Sequence, residues 1–137
     1  MGTWGPDIFD NDKAADWVFD VAKSTDMSLV EATVGKVVTA SDEYLNANIA
    51  IEALAAIEVV ARLKGKWGIK CAHSEAADKW VEENKFDVSS DLIDSCKNAI
   101  DRIMGNNSEL IDNWQNNAEY YEQWKQGVAD LKKRISS

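Results

Sequence analysis

One segment limits the fold more than any other. Between about Asp42 and Lys64, the residues Ile49, Ile51, Leu54, Ile57, Val59, Val60 and Leu63 fall on nearly every side of a helix, and Gly65 stops it. A helix that is apolar around most of its circumference has to lie inside a bundle. The apolar stretch is too short to cross a bilayer and carries Glu52, Glu58 and Arg62, so its cover must come from the chain's own helices. The expected fold is all-α. It is a single-domain bundle over residues 1–137, with about six helices around this central apolar helix at about 42–64.

The remaining segments have the spacing such a centre needs. Ala14, Trp17, Val18, Val21 and Ala22 predict a first helix from about Asp12 to Ser24, capped by Asp10 or Asn11. Ser28 and Glu31 have the spacing of a capping box. The helix they would open has Val30, Val34, Val37 and Val38 as its stripe. Valine and Gly35 weaken it, and Val34 to Thr39 also reads as a strand. Ala76, Ala77, Trp80 and Val81 predict a short helix from about Ser74 to Glu83. Leu92, Ile93, Cys96, Ala99, Ile100 and Ile103 predict another from about Ser90 to Met104, with Gly105 just past its end. After the cap Ser108, the residues Leu110, Trp114, Ala118, Tyr121, Trp124, Val128, Leu131 and Ile135 form one continuous stripe. No proline interrupts that last helix, and Asn116-Asn117 marks where it would kink.

Three stretches resemble a known family. Met1-Gly2-Thr3-Trp4-Gly5 leading to Phe9-Asp10-Asn11-Asp12-Lys13-Ala14-Ala15-Asp16-Trp17 is similar to the opening M-G-x-W-G-x-x-x-F-D-N-D-x-A-x-D-[WF] of small bacterial proteins filed as domain of unknown function 4259. Tyr44-Leu45 and the run Glu52 to Ala61 resemble the family's E-A-L-A-A-x-E-V-V-A helix. Ser108-Glu109-Leu110, Trp114, Trp124 and Val128 to Leu131 resemble its closing pattern. The asparagines at 106–107 and 113–117 depart from that pattern. The resemblance implies a bacterial protein and a helical fold, and it implies no activity.

Charge removes several function classes. Asp plus Glu number 24 against 15 Lys plus Arg, a net charge of −9. Nucleic acids and anionic membranes both require clustered positive charge, so neither is expected as a partner. Two cysteines, Cys71 and Cys96, make no disulfide framework, and Met1 to Asp7 has no basic-then-apolar leader. A cytoplasmic protein is expected, monomer or homodimer, with no cofactor.

The sharpest polar cluster is Asp10, Asp12 and Asp16. Asp10-x-Asp12 resembles the start of a calcium loop. However, Ala14, Ala15 and Val21 then stand where a ligand, a glycine and a glutamate are needed. The structural alternative is three carboxylates at the positive end of a helix. Glu52 and Glu58 are turned roughly 240° apart and do not share a face. Glu58 and Arg62, four apart, suggest an ion pair; if incompletely paired, buried Glu58 would be a perturbed carboxylate. Cys71-x-His73 reads as a small buried cysteine beside a surface histidine, since a zinc site would lack ligands. No phosphate-loop, dinucleotide, zinc-protease or nucleophile-elbow motif is present, and no catalytic or metal residue is assigned. Of six tryptophans, Trp17, Trp80, Trp114 and Trp124 fall on helical stripes and are expected in the core. Trp4 and Trp67 lie in Gly-flanked loops.

These features favour a small acidic protein-binding module of the immunity or inhibitor type. It would present Trp4, Asp10, Asp12, Asp16 and Trp67 to a basic partner protein. One alternative is a metal-dependent or hydrolytic protein using the acidic cluster. The other is an oligomerising helical protein that pairs through its last stripe.

Overall fold

The computed structural model describes residues 7–40, 43–68 and 70–137; Trp4 lies outside them. The described residues form seven helices. They are α1 (Asp12–Val21), α2 (Ser28–Val38), α3 (Ala47–Leu63), α4 (Glu75–Glu83), α5 (Ser90–Ile103), α6 (Glu109–Gln115) and α7 (Tyr121–Ser136). No strand occurs among them. A parallel bridge joins Leu45 to Ser108, and no helix among the described residues is long and apolar enough to cross a membrane.

α3 is the axis of the bundle, and it packs against each of the other six helices. From Ala53 to Arg62 every residue is buried, and four of those ten are alanine. Small side chains let neighbouring helices come close on several sides at once. The helix begins at Ala47, later than its apolar pattern suggests. Asn46 Oδ1 accepts the Asn48 and Ile49 N–H groups at 2.8 and 3.3 Å, and Glu109 Oε1 accepts the Ala47 N–H at 2.8 Å. Just before it, Leu45 is pinned to the start of α6: its N–H donates to Asn107 O at 2.7 Å and its carbonyl accepts from Glu109 N–H at 3.0 Å.

The valine-rich second segment is a helix. It buries Val30, Thr33, Val34 and Val37, while Val38 is 39% exposed. Its start differs from the capping-box expectation. Met27 is the N-cap and Ser28 is already helical, and Asp26 Oδ1 accepts the Ser28 N–H at 2.9 Å. α5 is capped by Ser89, whose Oγ accepts the Leu92 N–H at 3.1 Å.

The last predicted helix is two helices. α6 ends at Gln115 and α7 begins at Tyr121. The apolar stripe runs through the gap, yet the asparagines draw the backbone out of it. Asn116 Nδ2 donates to Asp112 O, Asn117 Oδ1 accepts from Tyr120 N–H, and Asn117 N–H bonds back three residues to Trp114 O. Asparagine side chains compete with helical bonding in this way. Ala118, a member of the continuous stripe, is exposed as a result. Tyr121 is half-buried, and Trp124, Val128, Leu131 and Ile135 of the stripe are buried within the chain, on a helix that packs against α3 and α5.

The four stripe tryptophans are all buried. Two of them also find hydrogen-bond acceptors, as buried indoles require. Trp17 Nε1–H donates to Thr33 Oγ1 and Trp80 Nε1–H to Ser24 O, each at 2.9 Å.

Candidate functional site

The opening motif divides at the N-cap of α1. Asn11 Oδ1 accepts the Ala14 N–H at 2.7 Å, and Asn11 Nδ2 donates to Ile8 O at 3.2 Å. Asp10 precedes that cap. Its side chain is 14% exposed, with Oδ1 at 4.0 Å from His73 Nε2 and Oδ2 accepting from Asp7 N–H at 3.3 Å. Burial, then the nearby Asp10 carboxylate, pushes the Asp7 carboxyl above its usual value. Asp12 and Asp16 follow the cap and are exposed. The three carboxylates that adjoin in sequence therefore do not converge. Among the described residues, no three His, Cys, Asp or Glu side chains come together as a metal site requires.

Asp12 and Asp16 instead join Asp20. Spacing of four places all three on one face of α1, and all three are exposed. Phe19 stands on the same face, 64% exposed, with Lys23 Nζ at 4.3 Å from its ring centre. None of the three aspartates makes an ion pair among the described residues. α4 packs beside α1 and turns Glu75, Glu82 and Glu83 to solvent. Together the two helices turn six carboxylates to solvent, against Lys13 and Lys79 on the same helices and Lys23 just past α1. A large part of the net charge is thus gathered on adjacent helices. Sequence reasoning singled out Asp12 and Asp16 but missed Asp20 and Phe19, although the four-residue spacing was there to read.

Glu58 belongs to a different assembly. It is 5% exposed and pairs with Arg62 on the next turn of α3, as the spacing suggests. It also meets Arg134 from α7: Arg134 Nη2 lies 2.6 Å from Oε1 and Nη1 lies 3.1 Å from Oε2. Arg62 Nε donates to Asp78 Oδ1 of α4 at 2.7 Å, and Ser74 Oγ donates to Asp78 Oδ2 at 2.8 Å. Arg134 Nε reaches Asp130 at 2.8 Å. Burial alone would lower the Arg134 pKa, but the contacts with Glu58 and then Asp130 outweigh it and raise it. Gly68 leaves room for this guanidinium, since a Cβ there would lie 2.9 Å from Arg134 Nη1. Phe9 and Trp67 flank Arg62, with ring centres 5.2 and 5.8 Å from its guanidinium carbon. Trp67 is half-buried and covers this clamp; it does not stand with Asp12 and Asp16. Both oxygens of Glu58 are occupied by guanidinium donors, an arrangement suited to tying α3, α4 and α7 together.

Cys71 is exposed, contrary to the expectation of a buried thiol, whereas Cys96 is buried on the inward stripe of α5, as its spacing implies. Burial pushes the Cys96 thiol up to about 12, which keeps it protonated and unreactive at neutral pH. His73 is exposed, as expected, and faces Asp10.

A concavity of about 380 Å³ lies on another side, between α3, α6 and α7 and the residues before α1. Ile51, Leu54, Leu110, Trp114 and Trp124 form its apolar walls. Asp7, Ile8, Asn11, Asn113, Asn116 and Asn117 complete its lining. Trp114 and Trp124 stack with ring centres 5.4 Å apart and planes 15° from parallel. In the sequence, only the asparagine clusters flagged this region.

A family model described as "Domain of unknown function (DUF4259)" matches residues 2–127. No match was found among curated proteins or among solved structures.

Proposed function

The chain belongs to the DUF4259 family, and from that premise we propose that it is a protein-binding module whose α1–α4 face receives a basic partner protein. The observation that carries this reading is the row Asp12, Asp16 and Asp20 around exposed Phe19, all without ionic partners among the described residues. Unpaired carboxylates beside a projecting aromatic combine two requirements of a specific interface. The charges speed encounter with an oppositely charged surface. The aromatic supplies an anchor, and the lysine already lying over Phe19 shows the kind of cation that its ring attracts.

The partner is expected to be a basic protein such as a nuclease-like toxin, with this chain as its inhibitor in the cytoplasm. Self-association through the last helix has less support, because the α7 stripe is buried within the chain. The test is capture of a basic host protein on the immobilised chain at low and high salt. The comparison is between a variant carrying Asp12→Asn, Asp16→Asn and Asp20→Asn and one carrying Asp87→Asn, Asp94→Asn and Glu119→Gln. Capture that is lost at high salt and lost only in the first variant supports the reading. Equal capture by both variants refutes it.

A further inference from the structure

We propose that the concavity between α3, α6 and α7 is a binding site for an uncharged flat heterocycle of purine size, held along one edge by asparagine amides. It lies apart from the α1–α4 face, and nothing in the partner reading requires it.

The site exists because a helix that the apolar pattern would continue is broken. The stripe from Leu110 to Ile135 has no gap, yet the chain leaves the helix between Gln115 and Tyr121, and the residues at the break line the concavity. Disagreement between a local pattern and the structure is a feature of functional positions. The volume, about 380 Å³, falls in the range of small-molecule sites, roughly 300–1,000 Å³.

The chemistry of the walls narrows the ligand. Leu54 and Leu110 with the stacked Trp114 and Trp124 offer an apolar and aromatic interior. Apart from the Asp7 carboxyl, the polar side chains of the lining are asparagines, and three of the four stand at the helix break. The Asn113 amide has no partner among the described residues. Asn117 has its Oδ1 engaged by Tyr120 N–H, which leaves its amide hydrogens, and Asn116 has its Nδ2 engaged by Asp112 O, which leaves its oxygen. Across the concavity, Asn11 has both ends of its amide engaged. A primary amide offers a donor and an acceptor side by side, the complement of the paired groups on the edge of a purine. A sugar ring, with hydroxyls around its whole perimeter, would leave most of them against aliphatic walls. Among the described residues no lysine or arginine lines the site and Asp7 does, so a phosphate or carboxylate group is disfavoured.

The experiment titrates the full chain with adenine and hypoxanthine, following tryptophan fluorescence and amide chemical shifts, with adenosine monophosphate and glucose as comparators. Saturable binding of at least one base is expected, weaker binding of the nucleotide, and none of glucose. Asn113 is exposed, so Asn113→Ala and Asn113→Trp should keep the native melting temperature. The first should weaken base binding at least about tenfold, the equivalent of about 1.4 kcal/mol, and the second should abolish it by filling the mouth. Asp94→Asn, on α5, should leave binding unchanged. Absence of saturable binding by both bases would overturn the proposal. So would tighter binding of the nucleotide than of adenine, saturable binding of glucose, or base binding indifferent to both Asn113 variants.

Discussion

Glu58 and Asp78 are buried, and each meets a guanidinium; Asp12, Asp16 and Asp20 stand in solvent and meet none. The two sets lie on helices that touch. A carboxylate taken out of water must be paired and hydrogen-bonded or it destabilises the fold, so the inner set is complete in itself and has nothing left to offer a ligand. The outer set bears its charge at little cost because water solvates it, and its oxygens stay available. On the reading proposed above, the partner surface lies with the incompletely paired carboxylates beside an exposed aromatic and not with the buried charges.

The contrast breaks most visibly at Arg62. Arg62→Ala leaves Glu58 and Asp78 short of a shared cation and should cost about 3–5 kcal/mol, read from urea denaturation. A loss near the surface-residue range would mean that the inner carboxylates are solvated after all. Arg134→Ala should cost less, since its side chain is 14% exposed against 1% for Arg62 and Glu58 keeps one guanidinium. A larger loss than for Arg62→Ala would shift the centre of the clamp to α7. On the outer face, each of Asp12→Asn, Asp16→Asn and Asp20→Asn should change stability by no more than about 0.5 kcal/mol in the same assay. A larger destabilisation would assign that row to the fold rather than to a partner.

The smallest effect is expected at Asp26, an outer carboxylate with a backbone partner. Its bond from Ser28 N–H holds its pKa below the usual 3.8. A lowered folded pKa means stability that is present above the unfolded value and lost as pH falls through the folded one. The difference in melting temperature between the native chain and Asp26→Ala should therefore be constant above about pH 4 and shrink below it. Asp7 has the opposite sign: burial and Asp10 raise its pKa, so protonation relieves it as pH falls. A difference that grew on acidification in Asp26→Ala would reverse the assignment.

The bundle and its centre were readable from local spacing, because an all-round apolar helix admits few surroundings. The Glu58–Arg62 pair was readable for the same reason, being four residues apart. Arg134 was not, since it reaches Glu58 across 76 positions and nothing in local spacing announces such a contact. The break between α6 and α7 was only half legible. The asparagines marked the place, while the unbroken stripe argued for continuity, and side-chain bonding to the backbone prevailed. Asp10, Asp12 and Asp16 looked like one cluster because sequence distance hides the cap at Asn11, where the chain turns and sends Asp10 toward His73. Phe19 went unnoticed because a lone exposed aromatic looks ordinary until its charged neighbours are placed around it.

The position of α3 bears on how such a chain is made. Its cover comes from helices on both sides of it in sequence, so α1 and α2 alone leave much of its surface bare when it emerges from the ribosome. At about 5–20 residues per second, residues 64–137 take roughly four to fifteen seconds to follow. For that interval the nascent chain trails an oily rod that only the final turns of α7 can finish wrapping. A message cut short before that point would yield a product fit for chaperones and proteases rather than a smaller working protein.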